Sequence, residues 1–253
     1  MSPFTASLPH PVREHSARRG WIGSGARPRR RDVLIPSVQV TAQPSLCLQS
    51  PVTRRAGLCA PLAGCELRVA TRPEWVAAVR ADLPAFLRDH AACERKAAAF
   101  VTHLIAHYPD VPWLVRPMIA VAREELQHFA DVHKVMTARG IIPGPDEKDV
   151  YVRALTARPF TPGYSGLGQR LLVAGVIEAR GAERFGLLAQ GLAGEGLGAF
   201  YTKLTLSEQG HAARFIRLAS RVLEPAEVHA ELDALLDFEA GVVAELPLRA
   251  RLH

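Results

Sequence analysis

Apolar residues recur every three or four positions over most of the chain after residue 70, which is the spacing of amphipathic helices. Prolines and glycines divide this pattern into segments. Pro73 is placed to open a short helix, and Pro84 a longer one. The next helix is predicted over about 111–139, with Gly140 as its C-terminal stop. Because Pro117 falls early in this segment, it predicts a kink or a later start.

A connector of about 25 residues follows, with the short helical stretch KDVYVRALTAR and a turn-rich end. Three further helices are predicted over about 167–190, 197–223 and 225–246. Two helical hairpins joined by one crossover are the ferritin-like arrangement. The sequence therefore predicts an all-α domain over 71–253, a ferritin-like four-helix bundle with a long crossover and additional flanking helices.

The first 70 residues have a different composition. They hold ten Arg, no Lys and three acidic residues, a net charge of +7, whereas residues 71–253 carry −1. They also hold eight of the 19 prolines and show no sustained periodicity, so we predict a disordered Arg/Pro-rich extension. It fits a transit peptide, a nucleic-acid-binding arm or, our preferred interpretation, non-native sequence translated upstream of the true start.

The chain shows no signal peptide and no run of 18 apolar residues, so we expect a cytoplasmic protein with no membrane association. Cys47, Cys59 and Cys65 fall in the extension, and only Cys93 lies in the helical part. No disulfide framework is available to the fold, and Cys59 and Cys65 lack the paired spacing of a zinc site.

A Glu-x-x-His motif occurs twice in the predicted helices, and each copy follows another glutamate by 31 or 30 residues. Helix positions i and i+3 lie on one face, so each motif can hold one metal ion. The repeated unit is the ligand set of a carboxylate-bridged di-iron centre. The predicted metal ligands are Glu94, Glu125, His128, Glu178, Glu208 and His211.

Four carboxylates inside one bundle would be costly to desolvate without compensating charge. Two divalent ions balance the four negative charges, and two neutral imidazoles complete the set. Mixed carboxylate and imidazole ligation suits iron or manganese, whereas structural zinc normally recruits cysteine. The competing interpretation is a bundle with structural salt bridges alone.

Several nearby residues are assigned no functional role. Glu124 and Glu183 point away from the predicted ligand faces, so we expect them to be solvated or paired with Arg. Cys93 is expected to pack in the core. Four histidines lack a repeated partner and are expected on the surface or in the core. They are His90, His103, His107 and His133.

Five strings within residues 89–215 resemble the MiaE family of tRNA hydroxylases, namely DHAACERKAAAF, AREELQHF, YVRALTARPF, GVIEARGAERF and LGAFYTKLTLSEQGHAARF. Members use a ferritin-like di-iron site to hydroxylate the isopentenyl group of a 2-methylthio-isopentenyl adenosine next to the anticodon. The resemblance implies a monooxygenase with two iron ions, O2 as co-substrate and an external electron donor such as a reductase or ferredoxin. The implied partner is tRNA carrying a prenylated adenosine.

The resemblance also implies ligand roles. Terminal ligands would be Glu94 and His128 for one iron and Glu178 and His211 for the other. Bridging ligands would be Glu125 and Glu208. Phe100, Phe129 and Phe185 are expected either to contact the prenyl chain or to pack in the core of the bundle.

RNA binding usually uses a basic surface, yet the helical domain is close to neutral. Six arginines on the crossover and the fourth bundle helix form either a basic patch or a solvated face. They are Arg153, Arg158, Arg170, Arg214, Arg217 and Arg221. An iron-handling or peroxide-scavenging ferritin-like protein is the main alternative function. A helical RNA-binding or scaffold module without metal is disfavoured because all six ligand types are present.

Overall fold

The structure is a computed structural model that describes residues 65–253. Over this range the chain forms helices and no strands, so the predicted all-α fold is confirmed. The seven α-helices are α1 (Glu74–Ala81), α2 (Leu83–His107), α3 (Pro112–Ala138), α4 (Val150–Thr156), α5 (Tyr164–Gly191), α6 (Gly198–Ala219) and α7 (Pro225–Glu245). A single 3-10 turn, Ala193–Glu195, joins α5 to α6.

Local sequence signals account for the helix ends. The Asp82 carboxylate accepts a hydrogen bond from the backbone N–H of Ala85 at 3.1 Å, and Pro84 occupies the first turn of α2. Gly140 follows α3 with a φ of +66°, a conformation that glycine adopts without strain. The later start considered for α3 is wrong, because this helix begins at Pro112 and continues through Pro117.

The bundle consists of two hairpins, α2 with α3 and α5 with α6. The crossover between them carries α4, and α7 packs against α4 and α5. Helix α5 is buried along most of its length because α1, α4, α6 and α7 all contact it. The metal-ligand candidate on α5 therefore lies on the most enclosed helix of the domain.

The end of the predicted extension belongs to this domain. Cys65 is buried, and the backbone carbonyl of Val69 accepts a hydrogen bond from Arg180 at 2.9 Å. Thr71 donates to the Glu183 carboxylate through its backbone N–H at 2.8 Å and its hydroxyl at 2.6 Å. The six residues 65–70, which we predicted to be disordered, thus precede and contact the helices. The rest of that prediction, for residues 1–64, lies outside the described residues.

A buried ion pair fastens α5 to α7. Arg180 is fully buried, and its guanidinium donates to both Glu239 carboxylate oxygens, at 2.8 and 3.0 Å. The Tyr151 hydroxyl of α4 donates to the same carboxylate at 3.0 Å. Glu178 lies two residues before Arg180 on the same helix, so this ion pair anchors the part of α5 that carries Glu178.

Helices long and apolar enough to cross a bilayer do not occur among the described residues.

Candidate metal centre and cavity

All six predicted ligand residues meet in the core, and each of the four bundle helices supplies at least one. Their ligand atoms form two groups, within each of which all atoms lie within 4.8 Å of one another. The two carboxylates of Glu125 and Glu208 belong to both groups. The first group is completed by Glu94 and His128, and the second by Glu178 and His211.

Burial distinguishes Glu178 from the other five residues. Those five are almost completely enclosed, with Glu125 only 1% exposed. Glu178 is half-buried because its carboxylate faces a cavity beside α5. The centre is therefore closed on the side of α3 and α6 and open beside Glu178.

Several of the potential metal-ligand atoms lie close together but form no hydrogen bonds with one another. His128 Nδ1 lies 3.1 Å from Glu208 Oε1 and 3.5 Å from Glu94 Oε2, but in hydrogen-bonding geometry with neither. The Oε1 atoms of Glu125 and Glu208 are also buried without hydrogen-bond partners. Such orphaned buried atoms are costly in a protein interior. Carboxylate oxygens and imidazole nitrogens facing a common point suit a divalent metal ion, so the residues fit the expected cofactor.

Within the cluster of six ligand residues, four carboxylates surround two imidazoles and shift their pKa values. Burial lowers the pKa of His128, but the carboxylates of Glu125 and Glu208 outweigh this and raise it to about 12. Burial also lowers the pKa of His211, and the carboxylates of Glu125 and Glu208 again outweigh this effect and raise the pKa to about 10. Burial raises the pKa of Glu208, but hydrogen-bonding contacts with His128 and His211 outweigh burial and lower this pKa below its usual range.

The pKa values of the other three carboxyl groups depend on whether a carboxylate or a histidine lies next to them. Burial and the negative charge of Glu208 raise the pKa of Glu125 to about 7. Burial and the same neighbour raise the pKa of Glu178 well above its usual range. At Glu94, contacts with His128 and His90 outweigh burial, and the pKa is lowered. The two imidazoles and the carboxyl groups of Glu125 and Glu178 thus all bind protons more tightly than the same groups would in water.

Two residues assigned no function make contacts with the ligands. His90, one turn before Glu94 on α2, is fully buried, and its Nε2 lies 2.7 Å from Glu94 Oε1. The ring is therefore in the core, as expected, but it also contacts Glu94. Glu124 pairs with Arg214 at 3.3 Å, as the sequence suggested, and also lies 2.7 Å from His211 Nε2.

Sequence reasoning could have found one of these contacts. His90 and Glu94 are four residues apart on one helix, a spacing that predicts contact between their side chains. Glu124 and His211 are on different helices, and only packing brings them together. The carboxylate holds the outer ring nitrogen of His211, so that Nδ1 faces Glu125 and Glu208 at 2.8 and 3.0 Å.

A cavity of about 340 Å³ extends from the carboxylates between α2, α4 and α5. Its walls are mainly apolar and include Phe100, Phe160 and Phe185. Of the three phenylalanines expected near the substrate, Phe100 and Phe185 line this space. Phe129 does not, because it packs in a separate cluster around Val132 and Met136.

The two halves of the bundle differ in a way that explains the cavity. On α2, the fully buried His90 and Phe86 precede Glu94 by four and eight residues. On α5, the residue four positions before Glu178 is the small Ala174, and the residue eight positions before it is the solvent-exposed Arg170. One turn after Glu178 stands Gly181, where an added Cβ would meet no atom within 4 Å. Ala174 and Gly181 on α5 therefore leave open space beside Glu178, whereas the buried His90 fills the space at the position on α2 that corresponds to Ala174.

The six arginines considered as a basic patch have different surroundings in the structure. Arg158 pairs with Glu231 at 3.1 Å, and Arg214 pairs with Glu124. Arg170 instead lines the cavity. The other three are solvent-exposed, namely Arg153, Arg217 and Arg221.

A four-helix bundle with one crossover, two Glu-x-x-His motifs and two further glutamates facing its core defines the class of ferritin-like di-iron carboxylate proteins. A solved structure supports this assignment: protein 43 with aldehyde deformylating oxygenase activity, from Synechococcus. It is 32% identical in sequence with a TM-score of 0.69, and the match covers 74% of this chain and 94% of that one.

Residues 63–253 match the family described as tRNA-(MS[2]IO[6]A)-hydroxylase (MiaE), and the chain belongs to this family. Two relatives carry the name tRNA 2-(methylsulfanyl)-N(6)-isopentenyladenosine(37) hydroxylase. The Pseudomonas putida protein is 32% identical over 183 residues, covering 72% of this chain and 89% of its own length. The Salmonella typhimurium protein is 31% identical over 147 residues, covering 57% and 54% respectively.

Proposed function

We propose that this chain is an oxygen-dependent tRNA hydroxylase that acts on the isopentenyl side chain of 2-methylthio-isopentenyl adenosine beside the anticodon. One observation carries the proposal: the convergent carboxylate and imidazole ligands open directly onto an apolar cavity. Membership of the MiaE family supplies the substrate class.

The cofactor would be two iron ions. Glu94 and His128 would hold one, Glu178 and His211 the other, and the carboxylates of Glu125 and Glu208 would contact both. The presence of these two carboxylates in both groups of ligand atoms supports this division. Charge supports it as well, because two divalent ions offset four carboxylates.

When bound, the two irons supply reductive activation of O2, with two electrons drawn from an external reductase or ferredoxin. One oxygen atom enters the product as a hydroxyl group on an allylic carbon, and the other leaves as water. The protein itself contributes binding, orientation and exclusion of solvent.

The cavity walls would bind the prenyl chain. Phe100 and Ile177 offer apolar surface near the carboxylates, and burying each methylene-sized group there contributes roughly 0.8 kcal/mol. Gly181 and Ala174 leave room for the chain beside Glu178. The walls would also keep water from the reacting carbon.

Two neighbours would hold the ligands in place. His90 lies against one oxygen of Glu94, leaving the other directed towards His128. Glu124 accepts the Nε2 proton of His211, so that the opposite nitrogen faces the centre. These contacts would preserve the ligand arrangement while substrate enters and product leaves.

The apolar cavity also bears on the iron-handling alternative. A route for iron ions would be expected to carry carboxylates along its length, whereas most of these walls are hydrocarbon. The arrangement favours an organic substrate over iron storage.

The decisive experiment supplies the iron-loaded enzyme with a reductant, 18O-labelled oxygen gas and tRNA bearing the prenylated adenosine. We expect mass spectrometry of the digested nucleosides to find one labelled oxygen on the prenyl chain, and none with tRNA that lacks the prenyl group. Product labelled from water would refute a monooxygenase. Absence of product from a fully loaded, reducible enzyme would favour iron handling.

A further inference from the structure

The cavity has a deep end and a mouth that differ in chemistry. At the deep end lie the buried carboxylates of Glu125 and Glu208. The solvent-exposed residues that line the cavity include Thr156 and Arg170, and the half-buried ring of Phe160 lies beside Arg170. A ligand entering from solvent therefore passes Phe160 and Arg170 before reaching the carboxylates.

Arg170 and Phe160 already form a pair at this mouth. The guanidinium carbon of Arg170 lies 4.7 Å from the centroid of the Phe160 ring. Among residues 65–253, Arg170 has no carboxylate partner within ion-pair distance, whereas Arg158 and Arg214 do. The aromatic ring orients the guanidinium without neutralising it.

The distance from mouth to carboxylates fits a nucleobase carrying a prenyl chain. Arg170 and Glu178 are eight residues apart on α5, and both line the cavity. At 1.5 Å per residue, their separation along the helix axis is roughly 12 Å. An extended prenyl chain plus an adenine ring spans roughly 10 Å from covalent bond lengths. With the end of the chain beside Glu178, the ring would lie near Arg170.

We propose that Phe160 and Arg170 clamp the base of the substrate nucleoside at the cavity mouth. The base stacks on the Arg170 guanidinium, Phe160 supports that group from its other side, and the sugar and phosphates stay outside. Bases splayed from RNA loops are commonly held on aromatic rings and guanidinium planes. Both are positioning residues for the tRNA hydroxylation proposed above, on which this inference rests.

The planar guanidinium is essential to this role. A lysine at position 170 would keep the positive charge but offer no plane for stacking. The clamp therefore predicts that charge alone is insufficient, which distinguishes it from a simple phosphate contact. It also predicts loss of binding without loss of iron, because neither residue belongs to the ligand set.

The test measures binding of a prenylated anticodon stem-loop to the full-length, iron-loaded protein under anaerobic conditions, where no turnover occurs. Phe160→Ala and Arg170→Ala should each weaken binding roughly tenfold or more, as expected when a base loses its stacking partner. Phe160→Tyr should bind nearly as wild type, and Arg170→Lys should recover only part of the loss. Arg116→Ala is the matched control, because Arg116 is an exposed arginine of α3 outside both the cavity lining and the six arginines considered as a basic patch.

With oxygen and reductant, the alanine variants should raise KM more than they lower kcat, at unchanged iron content. The clamp is refuted if both alanine variants bind like Arg116→Ala, or if Arg170→Lys restores full affinity. Turnover by the wild type separately decides the proposed function. A wild type that binds the stem-loop through Phe160 and Arg170 but forms no product would retain the clamp and refute hydroxylation.

Discussion

At the scale of single residues, Glu124 and His90 act on the centre from outside the ligand set. Each places a hydrogen-bonding group 2.7 Å from a ligand residue, His211 and Glu94 respectively. Partners of this kind set the tautomer and orientation of metal ligands. Glu124 is the more informative, because it is partly exposed and can be changed with little effect on packing.

Glu124→Ala should weaken iron binding by about tenfold to a hundredfold, because His211 loses the carboxylate that orients its ring. Glu125→Ala should cost more, since Glu125 belongs to both groups of ligand atoms. Metal titration followed by optical absorption would measure both. Lys203→Ala, at an exposed residue elsewhere on α6, is the control. Unchanged affinity in Glu124→Ala would show that His211 is held by packing alone.

Iron binding should release roughly three to four protons at neutral pH, because His128, His211 and Glu178 must each give up a proton and Glu125, with its pKa raised to about 7, is half-protonated. The pKa values of His128 and His211 are raised to about 12 and about 10, and that of Glu178 is also raised. These groups hold protons in the metal-free protein, so affinity should rise as pH increases from 6.5 to 8. Calorimetry in buffers of different ionisation enthalpy counts the protons. Affinity independent of pH would contradict this protonation pattern.

At the scale of helices, α5 combines two tasks. One side presents Glu178 to the centre and leaves the cavity open through Ala174 and Gly181. Another side fastens the helix to α7 through Arg180 and Glu239. The helix that borders the open side of the centre is thus also held by a buried ion pair.

Gly181→Leu should fill the cavity beside Glu178 and reduce turnover of prenylated tRNA at least tenfold, with iron content unchanged. An added Cβ there meets no atom within 4 Å, so the helix can accept the larger side chain, which would extend into open space. The control is Gly241→Leu, on the exposed side of α7, where a Cβ also meets nothing. Wild-type kinetics in Gly181→Leu would show that the substrate does not use this cavity.

Glu239→Ala should lower the free energy of unfolding by about 3–5 kcal/mol, because Arg180 would remain buried without its partner. Thermal denaturation should show a fall in Tm of roughly 10 °C for a domain of this size. Asp237→Ala removes the carboxylate that faces Arg68 at 3.0 Å on the surface and should cost under about 1 kcal/mol. Similar losses from the two changes would mean that water reaches Arg180.

At the scale of the whole molecule, the segment before α1 helps to close the domain. Val69 and Thr71 contact Arg180 and Glu183 of α5, and Arg68 pairs with Asp237 of α7. The ordered domain therefore begins before residue 71, in agreement with a family match that starts at residue 63.

A chain shortened to residues 65–253 should fold, bind iron and keep its helical content. One shortened to residues 72–253 should melt at a lower temperature, because Arg180 loses the Val69 carbonyl and Glu183 loses Thr71. Circular dichroism and metal analysis would compare the two. Equal melting temperatures would show that residues 65–71 contribute no stability.

Helix identity, helix order and the six convergent residues were all readable from the sequence, because 3.6-residue periodicity and i, i+3 spacing are local properties of one helix. Helix ends were accurate where proline or glycine imposed them, as at Pro84 and Gly140. The 3-10 turn before α6 was missed although Gly194 lies in it and Gly196 ends it, because glycine marks a break between helices without specifying which turn forms there.

Only the tertiary structure decided which residues far apart in the sequence are in contact. Glu124 reaches His211, Arg180 reaches Glu239, and Phe129 is excluded from the cavity because of how neighbouring helices pack. The cavity itself depends on Ala174 and Gly181, which line open space beside Glu178, whereas α2 carries the buried His90 at the position that corresponds to Ala174. Periodicity identifies the inner side of each helix, but rotation and separation between helices determine which inner side chains touch.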